Sequence, residues 1–261
     1  MAMWCSRDEG RGRVPSDSSQ PPGHGIAAGT GLASRWQSSH QGGIPEGRWM
    51  RSDEMVEEDG PAAAPSFFDV ALRQRATREF ADRPVGDELV EACLRAAIHA
   101  PSAENLQPWV FVVVRDGGLR AEIGELTRRA WRAGGRAHSE GRLSPSLLRD
   151  VERGAEGGIG AAPVIVVVCG DTDIGLEQTL PSSVYPATQN LLLSATALGL
   201  GSAMTTLATQ FAGELSDLLG LPPSVRPMAV VPIGWPVRPP GAPRRLPLGE
   251  RAYRDRYGAP W

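Results

Sequence analysis

The chain has 261 residues, 41% hydrophobic and 22% charged, enough for a domain with a real core of its own. Its formal charge of −3 gives the whole molecule no electrostatic reason to seek nucleic acid or an anionic membrane, and no apolar run approaches the ~18 residues of a bilayer span. All 27 basic charges are arginine, and the lack of lysine excludes a Walker A phosphate loop, a pyridoxal Schiff base and lysine aldolase chemistry while leaving phosphate binding open.

Residues 1–63 read as a disordered tail, rich in Ser, Gln, Pro and Gly over 16–25 and 41–47, and a natural start at Met50 or Met55 fits that reading. A single domain is expected over 64–261. Ser66 caps a helix over 67–75, and a second helix over 87–99 carries Leu89, Val90, Cys93, Leu94, Ala97 and Ile98 on one face until Pro101 ends it. Residues 109–115 form a buried strand, followed by a turn and a helix over 119–131. The polar, glycine-studded stretch 134–160, with a short helical piece at 146–153, reads as a mobile insertion or lid. A strand over 163–169 leads to a nearly all-apolar helix over 185–198, which belongs at the centre. A short helix at 211–219, a strand at 228–235 and a proline- and arginine-rich tail close the chain. Helices and strands do not alternate strictly, so an α+β domain of three to five strands is expected over a doubly wound sheet.

Four clusters carry chemistry. Arg75 and Arg78 stand three apart after the first helix, so a helical or turn geometry would aim both guanidinium groups at one anion; two solvated arginines beside Glu79 is the plainer alternative. In the loop feeding the first strand, Ser102, Asn105 and Gln107 follow Pro101. The two amides suit the alternating donor and acceptor edge of a flavin or pyrimidine ring, and a self-satisfied turn is the equal alternative. Gly199 and Gly201, ahead of Thr205, Thr206 and Leu207, permit close approach of backbone to a planar ligand, though a plain helix cap explains part of the pattern. Arg244 and Arg245, held between prolines, suit phosphate clamping or a surface basic patch. The cysteines and histidines show no ligand spacing, so no metal site is expected. Cys93 and His99 read as core groups, and the absence of a secretory pattern makes the cytoplasm the default location.

Taken in order, Arg75-Ala76-Thr77-Arg78-Glu79-Phe80, then Pro101-Ser102 with Asn105, Gln107 and Trp109, then 185–202, Gly234-Trp235-Pro236 and Arg244-Arg245-Leu246-Pro247, resemble the nitroreductase family from about Ser66 to Gly258. The resemblance implies a nitroreductase-like α+β fold: a mixed or antiparallel sheet wrapped by helices, a homodimer whose C-terminal segment extends over its partner, and FMN at two interface sites. Arg75 and Arg78 match basic residues at the FMN phosphate, ribityl chain or O2 edge, with Gln74, Ala76 and Thr77 in the same motif. Asn105 matches the amide on the isoalloxazine edge, beside Pro101, Ser102 and Gln107. Thr205, Thr206 and Leu207 match the stretch near the reactive face, and Arg245 or Arg244 the arginine completing the phosphate site. Gln74 stands where many members have arginine and Ala76 where many have serine, which lowers expected FMN affinity. NADH or NADPH would reduce the flavin and a small-molecule acceptor such as a nitroaromatic or quinone would reoxidise it, with no protein acid or base required. Other flavin chemistry on the fold, whether flavin fragmentation, dehalogenation or desaturation, and a non-catalytic flavin binder are the competing readings.

Overall fold

A computed structural model describes residues 65–239 and 241–261; the tail expected at 1–63 lies outside the described residues. Helix α1, Phe67–Arg73, starts with a reciprocal capping box between Ser66 and Asp69. Helix α2 spans Asp87–Ala97 and leads through a loop with a single 3₁₀ turn into strand β1, Trp109–Val114. Helix α3, Gly117–Ala130, is capped by the Asp116 side chain, which accepts from the Leu119 N–H. A hairpin of helices α4 (Arg136–Ser139) and α5 (Pro145–Arg153) follows, with a wide π-type turn at each root, Trp131–Gly135 and Gly154–Gly158. The chain continues as β2 (Val164–Asp171), α6 (Leu180–Ala197), β3 (Gly201–Ser202), α7 (Ala212–Leu219) and β4 (Val225–Gly234).

The four strands form one antiparallel sheet in the order β1-β2-β4-β3, so the fold is α+β. β2 is its axis. Val164, Val166 and Val168 point to one face, against α2 and α6; Ile165, Val167 and Cys169 point to the other, where Ile123 of α3 and Leu215 of α7 close a second core. A strand covered on both faces needs no polar alternation, which is why its sequence is a continuous apolar run. Pro227 sits in β4 at the register shift opposite Val168 and Cys169, a place where the ladder does not need its missing N–H.

Three differences from the sequence-based expectation have clear causes. Helix α6 begins five residues before Tyr185: Pro181 occupies its first turn and Pro186 lies inside, removing one backbone bond that packing on two faces outweighs. Strand β3, two residues long, is too short to announce itself by periodicity. The 134–160 stretch is largely helical, and its two legs are joined by Arg132–Glu156 and Arg136–Glu152 ion pairs. No helix among the described residues is long and apolar enough to cross a membrane.

Candidate functional site

Helix α1 stops at Arg73, and Gln74 turns the chain into an extended path. Ala76 then bridges Ser202 of β3 in parallel, the Thr77 N–H donates to the Ser202 carbonyl at 2.8 Å, and the Ala81 N–H donates to the Trp235 carbonyl at 2.8 Å. The helical or turn geometry expected for Arg75 and Arg78 is therefore corrected: the backbone there is occupied by the sheet edge and cannot close a helical turn. The close approach depends on Gly201, where a Cβ would lie 2.6 Å from Thr77 Cγ2. The Thr77 and Ser202 hydroxyls are buried beside this junction without a hydrogen-bond partner among the described residues.

Arg78 is held from the hairpin side. Its guanidinium donates to Asp150 of α5 at 2.6 Å, with only 18% of the side chain exposed. The glycines of the second π-type turn, read from sequence as a source of mobility, are instead shaped to this arginine: a Cβ on Gly158 would collide with the Arg78 carbonyl oxygen, and one on Gly154 would lie 2.5 Å from Arg78 Cδ. Arg153 adds a 3.0 Å ion pair to Glu79.

Between the extended segment and α5 lie two adjoining recesses. The larger, about 890 Å³, brings together Gln74, Arg75, Ala76 and Arg78 with Arg244 and Arg245 from the far end of the chain. Its opposite wall is α5, through Ser146, Leu147, Arg149, Asp150 and Arg153, and Leu192 and the half-exposed Met204 supply apolar surface. The smaller, about 410 Å³, adds Thr77, Glu79 and Arg238. Arg75 steadies the C-terminal arm by donating to the Gly241 carbonyl at 3.1 Å. Across both recesses Arg75, Arg78, Arg149, Arg153, Arg238, Arg244 and Arg245 face only Glu79 and Asp150, so the cleft is strongly cationic in a molecule of net charge −3. Such a concave cationic wall binds anions. Arg149, Arg153, Arg238 and Met204 were not among the sequence candidates; the spacing of Ser146, Arg149 and Arg153 along one helix face is the signal that could have found the α5 wall.

Thr205 stands beside the cleft through its neighbour Met204. Its backbone exchanges hydrogen bonds with Val230 at 3.0 and 2.9 Å, and its hydroxyl accepts from the Leu207 N–H; the next residue, Thr206, is exposed. Pro101, Ser102, Asn105 and Gln107 are elsewhere. Their loop enters β1 at Trp109, which pairs with Gly170, whereas Ser202 pairs with Ile233 and Ile233 with Val164. The loop and the arginine segment thus occupy diagonally opposite corners of the sheet, roughly 25 Å apart at ordinary strand spacing and rise. The loop is strained: Glu104, Asn105 and Gln107 all have positive φ, at 54°, 57° and 53°. Three left-handed non-glycine residues within four positions are rare and cluster at binding sites. Ser102 accepts from the Gln107 N–H at 3.0 Å, and the Ala103 N–H donates to Ser183 of α6, so the strained shape is anchored.

The remaining reactive groups are structural. Burial pushes the Cys169 thiol up to about 12 and raises that of Cys93, so neither is a thiolate near neutral pH. The His99 ring lies 2.7 Å from the Arg95 carbonyl on its own helix. Among the described residues no group of three or more His, Cys, Asp or Glu could hold a metal ion.

Comparison with known proteins places this geometry in context. Residues 71–235 match the nitroreductase family. The NADH dehydrogenase of Thermus thermophilus is 32% identical over 215 residues, covering 68% of this chain and 90% of that protein. The oxygen-insensitive NADPH nitroreductase of Salmonella typhimurium is 29% identical over 188 residues, covering 70% of this chain and 71% of the relative. Among solved structures, iodotyrosine deiodinase bound to FMN and 3-iodo-L-tyrosine superposes with a TM-score of 0.61 at 26% identity, covering 70% of this chain and 96% of that one.

Proposed function

The chain belongs to the nitroreductase family and is an oxidoreductase by that membership, and from this premise we propose that it is an FMN-dependent enzyme. NADH or NADPH is its donor, and a nitroaromatic, quinone or related electrophile its acceptor. One observation carries the proposal: the cleft that gathers Arg75, Arg78, Arg244 and Arg245 from distant parts of the chain around a single cationic recess. Its donor set fits a phosphate monoester attached to a flat ring, with arginine forks at one end and Met204 and Leu192 for the apolar portion. When bound, FMN supplies the redox chemistry, taking two electrons from a nicotinamide and passing them to the acceptor.

The residues of this chain bind and orient. Arg75 with Arg244 and Arg245 holds the phosphate. Arg78, fixed by Asp150, presents one cation to the ring edge, where it favours negative charge. Donor and acceptor use the same open face in turn, a ping-pong sequence. Gln74 lowers the positive charge and Ala76 removes one hydroxyl contact at the phosphate end, which weakens binding without changing the class of ligand.

The site needs a second chain. Asn105 and Gln107, the amides suited to the ring edge, lie diagonally across the sheet from the arginines, so a two-fold homodimer is the arrangement that brings one protomer's amide loop to its partner's arginine cleft. Two apolar surfaces left open among the described residues support it: Phe67, Phe68 and Leu72 of α1 are 67%, 72% and 70% exposed, and Leu246, Leu248 and Trp261 of the C-terminal arm are exposed as well.

An anaerobic absorption titration of the purified, FMN-reconstituted chain tests the reading. Flavin bands that bleach with NADH or NADPH, and return on adding an acceptor, are the expected result. A chain that takes up no FMN would contradict it. The likeness to a deiodinase favours one second reading, reductive dehalogenation at the same flavin, and halide release from a halogenated phenol under reducing conditions is its readout.

A further inference from the structure

The proposed cofactor accounts for only part of the cleft's charge. Seven arginines face two carboxylates, and both carboxylates are already engaged, Asp150 by Arg78 and Glu79 by Arg153. The FMN phosphate, a dianion, is served by Arg75 and the Arg244–Arg245 pair. On the α5 side the contrast among arginines is sharp. Arg128, Arg132, Arg136 and Arg153, on or beside the same hairpin, each hold a glutamate. Arg149, one turn before Arg153, faces the large recess and has no hydrogen-bond or ion-pair partner among the described residues. Ser146 lines the recess from the same helix, three residues earlier, and its hydroxyl, 3.2 Å from that of Ser144, adds a polar group to the same wall. Exposed beside further cations and left without a carboxylate, Arg149 is free to take an anion that enters the recess.

We infer that Arg149 and Ser146 form a second phosphate subsite, and that its occupant is the 2′-phosphate of NADPH. This rests on the flavin reading of the same cleft. The recess is bounded by the Gln74–Arg78 segment on one side and by α5 on the other, so a dinucleotide donor entering it would meet Arg149 on the α5 wall. NADH, which lacks the 2′-phosphate, leaves Arg149 unpaired. Arginine, with a planar fork that grips two phosphate oxygens, is the appropriate residue for this discrimination.

The test uses the FMN-loaded full chain, the variants Arg149→Gln and Arg149→Lys, and four readouts. These are kcat/KM with NADPH and with NADH, inhibition by 2′,5′-ADP against 5′-AMP, FMN dissociation, and KM for an anionic against a neutral nitroaromatic. The wild-type chain should prefer NADPH and bind 2′,5′-ADP more tightly than 5′-AMP. In Arg149→Gln the NADPH-to-NADH ratio should fall about ten- to a hundred-fold, the range for losing a hydrogen bond to a charged group, and Arg149→Lys should restore part of it. A flavin-loaded chain with no donor preference, or a ratio that Arg149→Gln leaves alone, overturns the subsite while the flavin reading stands. Loss of FMN on Arg149→Gln would assign Arg149 to the cofactor phosphate, and a selective loss for the anionic nitroaromatic would assign it to the acceptor; either also overturns the inference. Failure of the wild-type chain to take up FMN would overturn both readings together.

Discussion

The two halves of the proposed site are built in opposite ways. The arginine half is long-range and tightly fitted: Ala76 and Thr77 pair with Ser202 of β3 and Phe80 with Pro236, the C-terminal arm is tied by Arg75, and Gly154, Gly158 and Gly201 leave no room for a methyl group. Its backbone is unstrained, for none of its non-glycine residues has positive φ. The amide half is local and strained, a short loop with three left-handed residues held by Ser102 and Ser183. One half gains its precision from packing partners distant in sequence, the other from a conformation stored in its own backbone. Arginines must converge from several elements to share one dianion, whereas an amide pair reading a ring edge needs only one rigid presentation.

That contrast can be broken or sharpened by substitution, with the largest effects expected in the fitted half. Arg75→Ala should raise the FMN dissociation constant about ten- to a hundred-fold, measured by flavin fluorescence titration. Gly201→Ala should destabilise the fold by about 1–3 kcal/mol in urea denaturation, because its methyl group meets Thr77 side-chain carbons at 2.6 and 2.8 Å. On the strained side, Asn105→Ala should weaken FMN by roughly fivefold to tenfold, since a neutral hydrogen bond contributes only about 1 kcal/mol. Glu104→Gly should move stability the other way, raising it by up to about 1 kcal/mol through relief of a left-handed conformation. If it destabilised the chain instead, the loop would not be a store of strain. The smallest effect is a gain: Ala76→Ser should tighten FMN a few-fold by adding one hydroxyl at the phosphate end.

The loop proposed as the amide half stands out in the sequence by itself, because Ser102, Asn105 and Gln107 crowd one short segment. The arginine half was not legible in that way. Arg75 and Arg245 are 170 positions apart, and only family resemblance put them in one site; their true geometry depends on β3, which two residues cannot advertise. The helical piece at 146–153 was expected, but its role as a wall of the cleft was missed because the glycine-studded stretch around it read as a mobile insertion, when Gly154 and Gly158 are contact surfaces for Arg78. The buried β2 and the helices flanking it were the most legible parts, since burial on both faces leaves a direct trace in composition.

The central claim is that a complete site takes its arginines from one chain and its amides from another. Co-expression of an Arg75→Ala chain with an Asn105→Ala chain, followed by isolation of the mixed dimer, tests it directly. If sites are shared between chains, the mixed dimer holds one doubly defective site and one intact site, and half of the wild-type FMN affinity sites and activity should return. If each site lies within one chain, both sites of the mixed dimer carry a single defect, no intact site forms, and the account is contradicted.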